Sequence, residues 1–431
     1  MAGQVNWNDA GSAQNAEVVQ KSIAAGLYYE AAMATLFGRL NGPREITSQK
    51  IIHDGGTKII DAGNSSPVWK KSNDENNRAT FTKREPNVGS MTYGDANVKV
   101  GDFAEYQHME CNVRTVRTPG FPLVGFESAH NFKRVVAVNQ LATVEKENIA
   151  RFVSEEQDFD AFRALLYGGS RGLITRDDGG MGITLPGATA GGIRVPTNTL
   201  VAGAASLTAK SWNATTHNTA LYTALSGLSG ANPAHRFTYN THKAISSQVD
   251  DLGFKPVVIG GQKYRAVAII DEWNLHMLRL DPILLQIWRE ATERSDKNNA
   301  LYSRGEFVLD DILYIPAQQM RMFRPRVVGS SFVFGPDNMG DPRPKVFRNN
   351  SNILMTIVLG AGAVLRGTRS DTAGFTTHQG PHDIGLEISY KYQDGWRRSD
   401  WYTADGRQKI ENDSSLVVFN TGVSPMQMVT A

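Results

Sequence analysis

The run from Gly253 to Pro282, GFKPVVIGGQKYRAVAIIDEWNLHMLRLDP, constrains this chain more tightly than any other stretch. It reads as a short buried strand over Pro256–Ile259, a tight Gly260-Gly261 turn and a second strand from Tyr264 to Ile270. Two glycines between β-branched runs signal a hairpin, because primed turns need positive φ angles that glycine tolerates. A helix opens at Asp271, whose side chain can accept from the free N–H groups of the first turn. Glu272 behind it favours the positive end of the helix dipole. Trp273, His276, Met277 and Leu280 fall at i, i+3, i+4 and i+7 and predict one buried face. Nothing in this stretch is arranged for chemistry, so it reads as framework.

The flanks are of a different character. Residues 1–15 are polar, and from Ala16 to Leu40 the positions Val19, Ile23, Leu27 and Ala31 recur near a 3.6-residue period, with Gly42-Pro43 as the stop. Gly26 inside that helix costs about 1 kcal/mol relative to Ala, so the helix needs a surface to dock on. Arg44 to Gly94 is rich in Asn, Ser, Gly, Asp and Lys and carries too few large apolar residues for a core of its own. Loops of this length are usually functional or ordered by partners. Val98–Val100, Phe103–Val116 and Phe121–Phe126 read as strands, with Pro119-Gly120 as punctuation. A few strands projecting from a body are marginal in water unless they pack on something.

Thr143 to Tyr167 predicts a long helix with Ile149, Phe152, Val153, Phe159, Phe162 and Leu166 on one stripe. Glu145, Glu147, Arg151, Glu155 and Arg163 lie off the stripe, and Gly168-Gly169 end it. Asp177 to Gly192 is a glycine-rich loop. Ala202 to Asp251 is helical in parts, on Leu221, Leu225 and Leu228 and then Tyr239, Ile245 and Val249. After the central block come a helix to about Arg294 and a strand over Phe307–Ile315. Past Phe332 strands dominate: Phe332–Phe334, Ile353–Leu365, Ile384–Tyr392 and Leu416–Phe419. The chain is α+β, with extensions that cannot satisfy themselves.

Its 431 residues exceed the usual range of one compact domain, so two cores or one elaborated core are expected. Lys and Arg number 45 against 43 Asp and Glu, with no basic stripe, which argues against a dedicated nucleic-acid binder. The single cysteine, Cys111, rules out an internal disulfide or a cysteine zinc site and fits a reducing compartment. Met1 is followed by a polar run to Asn15 rather than an apolar signal core, and no stretch approaches the roughly 20 apolar residues that span a bilayer. The expectation is a soluble protein made in the cytosol.

Candidate chemistry is sparse. His378 and His382, with Asp383 and Glu387, form the best metal-like cluster. Gly380-Pro381 between the histidines forbids the helix that would put both imidazoles on one face, so a polar turn ahead of the Ile384 strand is the better reading. Asp177-Asp178-Gly179-Gly180 lacks the spacing of an EF-hand loop. Gly260-Gly261-Gln262-Lys263 lacks the upstream glycine of a phosphate loop, and a strand follows where a helix N-terminus is needed. Cys111 alternates among apolar neighbours and reads as a buried thiol. No catalytic residue, cofactor or metal is expected.

The Gly253–Pro282 block resembles the core block of tailed-phage major capsid proteins, most of all those of N4-like phages. In that block a strand, a turn ending in an aromatic, a second strand and a helix run toward Leu-Arg-x-Asp. The matching residues are Pro256, Gly260, Gly261, Tyr264, Trp273, Leu278, Arg279 and Asp281, and the likeness extends less sharply from about Val98 to about Arg397. It implies an HK97-like fold: an N-terminal arm (1–45), an extended loop region (46–130) and a peripheral domain (131–230) with a spine helix over 143–167. An axial domain (231–385) and strands returning to the peripheral domain (386–431) complete it. It also implies a structural protein that self-assembles into pentamers and hexamers of an icosahedral head enclosing double-stranded DNA.

Such a subunit would be assembled in the host bacterial cytoplasm and reside in the virion. Its partners would be its own copies, portal, scaffolding and decoration proteins, and DNA lying nearby without specific binding, with no membrane. The expected assembly contacts are the arm (Val19, Ile23, Leu27), the loop from Arg78 to Arg117, and charges along the spine helix (Glu155, Arg163). Two alternatives stay open: an α/β metal-dependent enzyme built on the His378–His382 turn, and another virion component such as a tail or decoration protein.

Overall fold

Ala266-Val267-Ala268-Ile269-Ile270 is apolar at every position, the composition of a strand covered on both faces. The computed structural model bears this out: all five residues are buried, in the interior of a six-stranded sheet. The structure describes residues 36–45, 66–72, 78–84, 106–117, 121–123, 149–166, 198–203, 214–259, 262–286, 307–328, 331–334, 352–379, 386–399 and 414–422.

In chain order the helices are α1 (Leu36–Leu40), α2 (149–166), α3 (Ala214–Ser226), α4 (Tyr239–Asp251) and α5 (Glu272–Arg279). The first seven strands are β1 (Asn41–Glu45), β2 (Val68–Ser72), β3 (Arg78–Arg84), β4 (Tyr106–Asn112), β5 (Arg114–Arg117), β6 (Phe121–Leu123) and β7 (Thr199–Val201). The next seven are β8 (Val257–Ile259), β9 (Gln262–Tyr264), β10 (Ala266–Ile270), β11 (Phe307–Leu309), β12 (Ile312–Pro316), β13 (Pro325–Val328) and β14 (Ser331–Phe334). The last four are β15 (Ile353–Leu359), β16 (Val364–Gln379), β17 (Leu386–Arg398) and β18 (Ser415–Thr421).

Two sheets organise these elements. One runs β11-β12-β10-β15-β18-β7, mixing parallel pairs (β10 with β12, β18 with β7) and antiparallel ones. Period-2 alternation sorts its side chains cleanly. Val267, Ile269, Leu313, Ile315, Ile357 and Phe419 face a core shared with α2 and α3. Ala268, Ile270, Tyr314, Leu354, Val358 and Val418 face a second core against α4 and α5. The other sheet runs β1-β2-β16-β17-β5, with β6 added on β17. Its centre is the long β16–β17 hairpin, in which Val364 lies opposite Arg398 and Gln379 opposite Leu386.

The expected hairpin is present as β8–β9, with Val257 opposite Tyr264 and Ile259 opposite Gln262. Gly260-Gly261 themselves lie outside the described residues. The second strand, however, is two strands. The chain bends at Arg265, where the backbone N–H bonds to Asp311 O at 2.8 Å, and Ala266–Ile270 leaves the hairpin for the large sheet. Asp271 caps α5 as expected, accepting from Trp273 N at 2.9 Å.

The buried face of α5 differs from the expected one. Asn274, Leu275, Met277 and Leu278 point inward, while His276 and Leu280 face solvent. The helix is turned by a partner no local pattern reveals: Asn274 and Asn420 exchange side-chain amide bonds at 2.9 and 2.7 Å across 146 residues. The helix expected to continue to Arg294 stops at Leu280 and restarts after Asp281; residues 287–294 lie outside the described residues.

Other expectations are refined in the same way. Phe307–Ile315 is a tight hairpin, because Asp310 and Asp311 both take left-handed φ values of 48° and 60°. Ile353–Leu365 divides at the Gly360–Ala363 turn between the two sheets. Of the predicted arm helix, Leu36–Leu40 is helical, and Ala16–Thr35 lies outside the described residues. The polar region after Arg44 supplies strands after all. β2 pairs in parallel with β16, and β3 pairs with β4 as an antiparallel ribbon. Trp69, Ala79, Phe81, Cys111, Val113 and Leu365 bury one another where that ribbon meets the sheet, which confirms the buried thiol. The ribbon thus gains its hold from the sheet.

Candidate functional site

No cluster of catalytic type organises the described residues. What stands out is a set of buried charges at the junctions between elements. Asp271 and Arg324 are 0 % and 1 % exposed, and the guanidinium grips the carboxylate with two bonds, Nε at 2.8 Å and Nη2 at 2.9 Å. Arg324 also lies 4.1 Å from the centroid of the Trp273 ring. One carboxylate therefore caps α5 and holds the residue that leads into β13. A planar guanidinium suits both tasks, since it pairs with two oxygens and stacks on a ring at once.

Asp281 joins two helices. Its Oδ1 accepts from Ile283 N at 2.9 Å and Leu284 N at 3.3 Å, starting the short helix over 282–286, while Oδ2 accepts from Tyr239 N at 3.0 Å at the start of α4. This gives a physical reason for an acidic residue at the end of the Leu278-Arg279-x-Asp281 signature: the carboxylate satisfies N–H groups at the starts of two helices.

The richest junction lies where α2 meets the β16–β17 hairpin. Arg366 Nε and Nη2 pair with Asp394 at 3.2 and 3.1 Å, Trp396 Nε1 donates to Asp394 at 3.1 Å, and Arg366 lies over the Trp396 ring at 4.7 Å. Arg398 donates from Nη1 to the Leu165 carbonyl at 2.9 Å, a cation at the negative end of the α2 dipole. On α2 itself Arg163 pairs with Asp160 at 2.9 Å and Glu156 at 3.7 Å. Asp158 accepts from two backbone N–H groups of α1. Burial pushes the Asp158 carboxyl up to about 6, with the two N–H groups and Arg366 opposing and Glu155 adding. Asp160 is also pushed to about 6 by burial, against Arg163 and with Glu156 and Asp394 adding. Asp394 is raised by burial and held back by Arg366, and the Tyr392 hydroxyl is raised by burial and by the surrounding carboxylates.

A fourth group sits between α4 and the large sheet. His242 is wholly buried, with Nδ1 2.7 Å from Tyr314 Oη and Nε2 3.0 Å from Asp310 Oδ2, which also accepts from Lys243 at 2.6 Å. Burial lowers the His242 value, with Asp310 opposing, and burial raises that of Tyr314. The arrangement resembles a carboxylate–imidazole–hydroxyl chain. Tyr314, however, is closed in the core and stacked on Phe307 at 4.8 Å, so the group orders packing rather than meeting a substrate.

The expected contact residues fall in different settings. Val19, Ile23 and Leu27 lie outside the described residues. Arg78 starts β3 opposite Asn112, and Arg117 ends β5 opposite Lys391. Glu155 is partly exposed and pairs with Arg151 at 3.2 Å. Arg163, expected off the apolar stripe and available to a neighbour, is instead turned inward at 4 % exposure. The last part of α2 is buried all round, and Asp160 and Glu156 meet the charge within the chain. Sequence reasoning missed Arg324, Asp158, Arg366 and Asp394, whose partners are 28 to 122 residues away.

His378 is the penultimate residue of β16, opposite Glu387 across the hairpin, and His382 and Asp383 lie outside the described residues. Among the described residues no group of three His, Cys, Asp or Glu side chains is placed to hold a metal ion. No helix among them is long and apolar enough to cross a membrane. Leu280, Ile283 and Val258 are the large apolar side chains they leave in solvent, at 58, 47 and 40 % exposure. A groove of 490 Å³ beside Ile283 is lined by residues of α4, β7 and the 281–283 corner.

No protein-family model matches the sequence, and no curated protein matches it. Solved structures do. The capsid of Ralstonia phage GP4 superposes with a TM-score of 0.52 at 13 % identity, covering 84 % of this chain and 89 % of that one. The cyanophage Pam1 capsid gives a TM-score of 0.54 at 15 % identity, covering 84 % of this chain and 90 % of its own. The fold is that of a phage capsid chain. At these identities the likeness lies in the architecture, so the α+β capsid fold implied by the Gly253–Pro282 block is borne out.

Proposed function

We propose that this chain is the major capsid protein of a tailed phage, the repeating subunit of an icosahedral head built from pentamers and hexamers around double-stranded DNA. The observation that carries the reading is the capsid fold, matched over more than four-fifths of this chain and of each of the two capsid chains. The Gly253–Pro282 block supports kinship with the N4-like phages in particular. The role is mechanical, and the virion is its proposed location, after assembly in the host cytoplasm. Portal, scaffolding and decoration proteins are its proposed further partners.

The parts take roles accordingly. The large sheet with α4 and α5 is proposed as the axial domain, taking β7 and β18 from segments expected in the peripheral one. Helix α2 with the β16–β17 hairpin is proposed as the peripheral domain, taking β16 from the segment expected in the axial one. The β3–β4 ribbon is the proposed extended loop, and the chain up to α1 the arm. Buried ion pairs at the joints suit this work. Each resists rearrangement, because breaking one strands an uncompensated charge in the interior. Head-to-tail contacts between copies, each burying about 1,600 Å², close into rings and shells when the rotation permits.

Electron microscopy of the protein overproduced in a bacterial host tests the proposal. Closed particles of uniform diameter, composed chiefly of this chain, are expected. A monomer or small oligomer under every assembly condition, with or without co-produced virion proteins, would overturn it.

A further inference from the structure

Helix α1 has only five residues, too few to hold itself in water. Its hold comes from outside. The Asp158 side chain, 3 % exposed on α2, accepts from Leu36 N through Oδ2 at 3.0 Å and from Phe37 N through Oδ1 at 3.1 Å. Two of the N–H groups that a helix leaves unmet at its start are satisfied by one carboxylate from a distant part of the chain. At the other end Ser66 Oγ donates to the Leu40 carbonyl. Between these fastenings Phe37 sits edge-on to Phe162 at 5.1 Å and to Trp396 at 6.1 Å. β1 follows directly and pairs with β2 at one edge of its sheet.

We propose that Asp158 is a latch that fastens the root of the N-terminal segment to α2. Residues 36–45 then form a strap that opens as a unit, β1 leaving the edge of its sheet while the other strands of both sheets stay paired. Two features argue for a local device. The strap lies at an edge, where β1 has β2 as its one strand neighbour, and among its described side chains Leu36, Phe37 and Leu40 reach the core that α2 shares with the large sheet. A buried carboxylate is also an expensive choice at this position, where an apolar side chain would bury without desolvating a charge. Its two oxygens are spent on the two α1 amides, with Arg366 giving partial electrostatic compensation and Glu155 opposing. Asp158 acts as a positioning residue, and its role holds whether or not the chain assembles.

Hydrogen–deuterium exchange of the full chain, read peptide by peptide, tests this. In Asp158→Ala, which removes both bonds, amides of residues 36–45 should exchange at least about tenfold faster, the scale of a single lost charge-assisted hydrogen bond. Those of β10 and β15 should keep their wild-type rates. Asp158→Asn keeps one acceptor oxygen and should fall between the two. Unchanged exchange over 36–45 overturns the latch. Uniform acceleration across all peptides overturns it too, since that would make Asp158 a support of global stability only. Should Asp158→Ala fail to fold, Asp158→Asn is read by the same criteria.

Discussion

Arg324 and Asp271 offer the sharpest energetic test. Both are buried to within 1 % of full enclosure and joined by two bonds of 2.8 and 2.9 Å. Replacing Arg324 with Met strands the Asp271 carboxylate and removes the cation from the face of Trp273. Removing one partner of a buried pair costs about 3–5 kcal/mol. Asp271→Ser keeps a hydroxyl that can still cap α5, so its cost is chiefly the stranded Arg324 charge, again about 3–5 kcal/mol. Against a total stability of about 5–15 kcal/mol, either change alone is severe.

The double variant should be far milder than the sum. Most of each single cost is the penalty of leaving the other charge buried, and that penalty vanishes when both go. The coupling should be about 3 kcal/mol, at the upper end of measured values for neighbouring residues. Urea unfolding of the dispersed chain, with midpoints compared at constant m, measures it. Additivity of the two single changes to within about 0.5 kcal/mol would show that the pair does not act as a unit and would refute the reasoning.

Three further outcomes follow from the geometry. Gly362 has a φ of +74°, and an added Cβ would meet Trp69 Cε2 at 2.5 Å, so Gly362→Ala should cost at least about 1–3 kcal/mol in the same assay; an unchanged midpoint contradicts this. Burial lifts the Asp158 carboxyl from 3.8 to about 6, so the folded chain carries an extra proton between those values and stability rises as pH falls through that window. The effect is at most about 3 kcal/mol, and Asp158→Asn should show a smaller gain between pH 7.5 and 5 than the wild type. His242 runs the other way. Its folded value lies below 6.5, so the unfolded chain protonates first and acidification costs stability, and His242→Asn should gain more on acidification than the wild type. Equal pH slopes in these variants and the wild type would remove the assigned groups from the account.

What could be read in the sequence was local. The Gly260-Gly261 signal, the Asp271 cap and the apolar stripe of α2 all follow from residues within a few positions of one another, and the structure has β8–β9, the capped α5 and the buried α2 face. The misreadings share one cause, a partner far along the chain. Asn420 turns α5, and an enclosed C-terminal half of α2 draws Arg163 inward. Asp310 and Asp311 break an apolar run by adopting left-handed backbone that Gly or Asn would have announced. Val68, Trp69, Ala79 and Phe81 are too scattered among polar residues to advertise strands, yet parallel pairing with β16 and the small cluster around Cys111 order them.

The central claim is that this capsid fold completes itself on identical copies. A cryo-electron microscopy reconstruction of particles formed by the chain tests it most directly. Five- and six-fold capsomers are predicted, with the β3–β4 ribbon of each subunit lying against a neighbour. Particles without those axes, or a ribbon packed wholly on its own subunit, would contradict it.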